Sequence, residues 1–341
     1  MLHLMNTLES YFSTLRRSVM SVSFAMFGAF TLCLTAPILS LAQSGTSYTT
    51  ATLYNVTPSN FSDGSTWIGG VAPSAGASVT IVNRYVVMDV DISLAVVSVE
   101  NGGSLSMGTQ TLTITDYFNN SSGSVNAETS TVVFNSTRAD NNSGEPTVDG
   151  ATATTFYNVE IPTGSVVDFG SGNIGQGTQT ECLITGTLSL DGGAVVLYPP
   201  FYEAASILKY NDSYTVSTEW TKNETSASTK GVPTHIEIAD GASLSFGTTS
   251  DNYTCAGNLT VNGSGSLNMA TMSGNLTVTS ALTVTGASGS MDMSGMIGDV
   301  IVNGNCTIGG VAGQSVTLTM PSTEGKGVLD VKGDLTLGES L

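Results

Sequence analysis

Ile238, Val261 and Val284 open related segments that recur every 23 residues: Ile238-Ala239-Asp240-Gly241-Ala242-Ser243-Leu244-Ser245-Phe246, Val261-Asn262-Gly263-Ser264-Gly265-Ser266-Leu267-Asn268-Met269, and Val284-Thr285-Gly286-Ala287-Ser288-Gly289-Ser290-Met291-Asp292-Met293. An earlier copy reads Val99-Glu100-Asn101-Gly102-Gly103-Ser104-Leu105-Ser106-Met107. A repeat of this length suits one coil of a solenoid, because a single short unit cannot bury its own apolar face and must stack on its neighbours. Within each copy an aliphatic residue precedes a Gly-rich turn, and an alternating strand follows.

A second pattern interleaves with the first: Gly257-Asn258-Leu259-Thr260-Val261, Gly274-Asn275-Leu276-Thr277-Val278, Gly298-Asp299-Val300-Ile301-Val302 and Gly333-Asp334-Leu335-Thr336-Leu337. Alternation turns Leu and Val to one face and Thr to the other. Helix signals are nearly absent from Tyr48 onward, and Tyr202 to Tyr210 is read as a loop entering a strand. The expected fold is all-β, a parallel β-helix (β-solenoid) with coils of roughly 17–29 residues. Its expected parts are a signal peptide over 1–42, opening coils over 43–150, coils with a Tyr/Pro-rich insert over 151–235, and regular repeats over 236–341.

The 1–42 segment differs from the rest. Arg16 and Arg17 precede an apolar stretch from Val19 to Leu41 ending in Ser40-Leu41-Ala42, the layout of a secretory signal peptide cleaved after Ala42. Gly28 and Pro37 interrupt the stretch and argue against a membrane anchor. No transmembrane segment is expected after cleavage. The chain of 341 residues carries 9 Lys+Arg against 27 Asp+Glu, a formal charge of -18. That balance excludes an ordinary nucleic-acid binder, which needs clustered cations. Beyond the signal segment, Cys182, Cys255 and Cys306 are odd in number and widely spaced, so they are expected in the core rather than in a disulfide framework or zinc site.

Asp63-Gly64-Ser65-Thr66-Trp67-Ile68-Gly69-Gly70-Val71-Ala72-Pro73, followed by Val79-Thr80-Ile81 and Val86-Val87-Met88-Asp89, resembles the opening of large secreted surface proteins of Bacteroidota, and partly the eight-glycine domain of extracellular glycan-related proteins. Leu208-Lys209-Tyr210-Asn211, Glu219-Trp220, Gly231-Val232-Pro233 and Ile236-Glu237-Ile238 are similar to a block that precedes the coils of the first family. The resemblance implies a parallel β-helix exported as type IX secretion cargo, secreted or held at the cell surface, with extracellular polysaccharide or cell-surface components as partners. Members usually end in a sorting domain. This chain ends at Gly338-Glu339-Ser340-Leu341 after a coil strand, so a truncated reading of a longer protein is expected.

Candidate chemistry is sparse. His235 has no nucleophile elbow beside it, so a Ser-His-Asp site is not expected. Asp89 and Asp91, spaced to share one strand face, are candidate ligands for Ca²⁺ or an acid pair. Trp67 and Trp220 are candidates for stacking on sugar rings, and Tyr198, Tyr202, Tyr210 and Tyr214, which cluster around Pro199-Pro200 in a long insert, are candidate glycan-binding residues beside them. Met269, Met272, Met291, Met293 and Met296 are expected to fill the core. The pairs Thr111/Thr113, Thr277/Thr279, Thr283/Thr285 and Thr317/Thr319 bring ice binding to mind as a remote alternative, weakened by their irregular spacing. The expected function is a non-enzymatic adhesin, stalk or matrix component that binds glycan and needs no resident cofactor; the alternative is a fragment of a β-helical polysaccharide lyase or glycosidase using Asp89 and Asp91.

Overall fold

The structure is a computed structural model and describes residues 47–50, 55–136, 147–152, 154–170, 173–174, 181–310, 314–324 and 326–338. The expected signal segment, with Arg16, Arg17 and Ala42, lies outside the described residues. Residues 44–341 form one compact unit. The chain is all-β, with parallel strands stacked as a β-solenoid of about 10 turns. Among the described residues the sole helical element is a 3-10 turn, Gly64–Thr66, capped by Asp63, whose carboxylate accepts the Ser65 N–H. No helix among them is long and apolar enough to cross a membrane.

The 23-residue period is the coil. Ile238 lies beside Val261 and Val261 beside Val284, in register on successive parallel strands. That inward column extends in both directions, from Val79, Val97, Phe118, Val148, Phe169, Leu190 and Tyr210 to Ile308 and Leu337. All but Leu337 are buried. Each such aliphatic or phenyl side chain contributes about 1.5–3 kcal/mol on leaving water, so ladders of medium-sized residues supply a core despite an aromatic content of 7%. The five methionines are fully buried, as expected. Phe118, Phe134, Phe156 and Phe169 add a run of edge-to-face contacts with centroids 5.3–6.3 Å apart.

Asn and Asp at the corners join one coil to the next. The Asn252 side-chain oxygen accepts the Asn275 N–H at 2.8 Å, that of Asn275 accepts the Asp299 N–H at 2.8 Å, and that of Asp299 accepts the Val328 N–H at 3.0 Å. A neighbouring corner repeats the device: His235 Nδ1 accepts the Asn258 N–H at 3.1 Å, and the Asn258 side-chain oxygen accepts the Ala281 N–H at 3.1 Å. Turns leave backbone donors unpaired, and these side chains satisfy them. His235 is thus a corner residue.

The Gly-Asn-Leu-Thr-Val pattern occupies two faces. Leu259–Val261 and Leu335–Leu337 belong to the largest sheet, whereas Leu276–Val278 and Val300–Val302 pair with each other on another. The threonine pairs divide likewise. Thr260, Thr283, Thr307 and Thr336 align in a single outward column, but Thr285 faces Gly309 and Thr277 lies between Thr254 and Ile301. Among the described residues these pairs do not line up as two continuous threonine columns.

Candidate functional site

The insert around Pro199-Pro200 was expected to present its aromatic rings to a sugar, and the structure corrects this for three of them. Tyr202, Tyr210 and Trp220 are buried, at 1%, 0% and 0% exposure, so no ring face is free for stacking. The cause lies in strand parity. In Ile207–Tyr210, Ile207 and Lys209 face outward, which turns Leu208 and Tyr210 into the core. The polar ends of the rings find internal partners, as buried Tyr and Trp require. Tyr202 Oη donates to the Glu219 carbonyl at 3.0 Å, Tyr210 Oη donates to Glu219 Oε1 at 3.2 Å, and Trp220 Nε1 donates to the Thr254 carbonyl at 2.8 Å. Tyr198 stays half-buried at the surface.

Glu219 is the buried acid of this cluster, and its two carboxylate oxygens accept the Ser217 N–H at 2.9 and 3.1 Å. Burial pushes its carboxyl above the ordinary glutamate value of 4.5, against the opposing effect of the Ser217 and Tyr210 hydrogen bonds. Burial likewise raises the Tyr202 and Tyr210 hydroxyls. A raised acid contributes stability that is full below 4.5 and is lost as pH rises through the raised value. Glu219→Gln, neutral throughout, is expected to remove that decline. Melting temperatures of parent and variant across pH 4 to 9, about the range in which proteins are commonly stable, should diverge upward for the variant; parallel curves would refute the assignment.

Asp89 and Asp91 do not share a strand face, contrary to the expectation from alternation. Strands end at Val87 and resume at Ile92, so the pair sits in a turn where strand alternation does not apply. The two carboxylates part company along the solenoid axis. Asp89 reaches the preceding coil, accepting the Ser62 N–H at 3.0 Å and the Ser62 hydroxyl at 2.5 Å, while Asp91 reaches the next and accepts the Thr111 N–H at 2.7 Å. Slight burial raises the Asp89 carboxyl, and the Ser62 hydrogen bonds outweigh it and hold the group below its ordinary value. Both acids are coil staples. Among the described residues no three His, Cys, Asp or Glu side chains gather as a metal site.

A cleft of about 270 Å³ lies instead on the outer face, lined by Glu181, Cys182, Leu183, Phe201, Glu203 and Lys230. Leu183 and Phe201 are paired across neighbouring strands, Cys182–Ile184 and Phe201–Tyr202, and both point outward because Cys182, Ile184 and Tyr202 point in. Together they make an apolar floor. Glu181 and Glu203 share this outward parity and stand at its two ends. Their backbones are pinned: the Glu181 N–H donates to the Asn158 side chain at 2.9 Å, and the Glu203 carbonyl accepts the Ser206 N–H at 3.1 Å and the Thr234 hydroxyl at 2.8 Å.

Lys230 comes from the loop after Trp220. That loop is held down by a Gly231 N–H to Pro200 carbonyl bond of 2.6 Å and a Thr221 N–H to Gly231 carbonyl bond of 2.7 Å. Gly231 has φ +76°, and a Cβ there would lie 1.9 Å from Thr221 Oγ1, so only glycine permits this approach. Lys230 lies near enough to act on the Cys182 thiol, although burial dominates and pushes that thiol up to about 12. Cys182 is therefore an inert floor residue. Cys255 and Cys306 are likewise free and buried.

Four residue steps along a strand separate the positions of Glu181 and Glu203, which puts their Cα atoms about 13 Å apart along the strand direction, and side chains in strands stand roughly perpendicular to the sheet. Glu181 and Glu203 therefore frame the apolar floor from its two ends. Parity could have placed Tyr210 in the core, since Lys209 between Leu208 and Tyr210 signals an inward tyrosine; the partnership of residues 183, 201 and 230 has no sequence signal, because loop lengths decide it. Compared with known proteins, the chain matches no protein family, no curated protein and no solved structure.

Proposed function

We propose that this protein is a secreted, non-enzymatic β-solenoid that serves as a surface adhesin, stalk or matrix component and binds extracellular glycan in the Leu183–Phe201 groove. The observation that carries the reading is an outward Phe201 ring beside Leu183, framed by two carboxylates and an ammonium. Sugar rings present an apolar C–H face and a hydroxyl rim, which match an aromatic floor and a charged frame. The Arg16-Arg17 and Ala42 signal pattern and the resemblance to Bacteroidota surface proteins support export, and a rigid stack of coils suits a spacer that holds its site away from a surface. Single grooves of this size bind weakly, so attachment to a polymer would gain from several copies engaging at once.

The test is retention of the purified protein on a polysaccharide array, with reducing ends and unsaturated products assayed in the same wells. Phe201→Ala is expected to weaken binding about tenfold through loss of stacking and apolar burial, with the melting temperature nearly unchanged because the ring lies outside the core. Product formation by the parent protein would replace this reading with a polysaccharide lyase or glycosidase. Unchanged binding by Phe201→Ala would move the site elsewhere.

A further inference from the structure

Resting on the glycan-binding reading, we infer that the groove selects amino-bearing sugars, such as glucosamine units with free amines, over acidic or N-acetylated ones. The residues that frame it set the sign of its field. Glu181 and Glu203 flank the floor with Lys230 as the cation among the lining residues, and Glu160 lies one coil below Leu183 in the same outward column. Among the described residues the side chains of Glu181, Glu203 and Lys230 make no hydrogen bond or ion pair, and all three residues are exposed. Lys209, outward on the strand Ile207–Tyr210 and not part of the lining, faces Glu237 at 3.8 Å.

The surrounding chain has the same sign, at -18 overall. Uronate or sulfated chains meet like charge at close range, where a screening length of about 8 Å leaves the repulsion largely intact. Protonated amines on neighbouring pyranoses of one chain gain a carboxylate each, at the two ends of a floor that a sugar ring can cover. Ammonium-to-carboxylate hydrogen bonds are stronger than neutral ones, so the gain falls on the amine and not on the hydroxyls. A lysine-rich peptide would answer to the same charges. It has no rigid apolar face for Phe201 and Leu183, and this favours the sugar.

The experiment is calorimetric titration of the full chain with three probes of equal length: a fully deacetylated glucosamine oligomer, its N-acetylated counterpart and an oligogalacturonate, with oligolysine as a fourth. The expected result is about tenfold or greater preference for the amine form, reduced by salt, with no binding of the uronate. Glu181→Gln with Glu203→Gln should abolish the preference, so that the amine and N-acetylated oligomers bind alike. Glu324→Gln with Asp334→Asn, which removes two exposed acids from the C-terminal coils, should not. Phe201→Ala should weaken both glucosamine oligomers. Equal binding of the two forms would overturn the amine selectivity while leaving the glycan reading standing. Binding of no oligosaccharide would overturn both. Oligolysine binding that matches the amine oligomer and survives Phe201→Ala would show bare charge attraction and overturn the sugar assignment.

Discussion

Replacing Trp220 with alanine is expected to lower stability by about 3–5 kcal/mol, measured as a shift in the denaturation midpoint. The indole is fully buried, packs edge-on against Phe246 at 5.3 Å and Tyr253 at 5.7 Å, and closes a hydrogen bond to the Thr254 carbonyl. Its removal opens a cavity and orphans that carbonyl. The loop carrying Lys230 begins at the next residue, so glycan retention should fall together with stability. Phe201→Ala should reduce retention alone. If Trp220→Ala reduced binding with the midpoint unmoved, the tryptophan would be a contact residue after all and the burial argument would fail.

The second large effect is expected at Gly286. Its φ is +124°, a region other residues rarely adopt, and a Cβ there would fall 2.3 Å from the Cα and 2.5 Å from the N of Gly263 in the adjacent coil. The obstacle is backbone, which cannot swing aside. Gly286→Ala therefore combines backbone strain with a forced separation of two coils, about 3 kcal/mol or more together. In a solenoid, stability passes mainly between neighbours. Hydrogen exchange should consequently accelerate first in the strands Leu259–Val261 and Leu282–Thr285, on either side of the clash. A variant with parental stability and uniform protection would mean that the coils at this corner are not held at the described spacing.

Much of the fold was legible because its causes are local. Alternation in Leu259-Thr260-Val261, the Gly-Asn corners and the 23-residue return each follow from a few adjacent residues, and the register Ile238, Val261, Val284 repeats the period read from the chain. The candidate site was not legible in the same way. Asp89 and Asp91 look like a strand pair only if the strand continues, and it stops at Val87. Phe201–Tyr202 is too short a strand for alternation to say which ring points out. Clustering near Pro199-Pro200 suggested an exposed aromatic patch, whereas these rings are large enough to be worth most in the core, and Glu219 with Thr254 provides their polar ends with partners.

By itself the sequence determined that the chain is all-β, that its repeats are coils, and that the five methionines from Met269 to Met296 and Cys182, Cys255 and Cys306 belong inside, since inward or outward direction along a strand and the turn chemistry at its ends are properties of neighbouring residues. Only the tertiary structure decided which face each Gly-Asn-Leu-Thr-Val segment joins, and that Glu181, Leu183, Phe201, Glu203 and Lys230 meet. The register between coils depends on the length and path of every intervening loop, and a shift of one residue would turn Phe201 into the core and Tyr202 out to solvent.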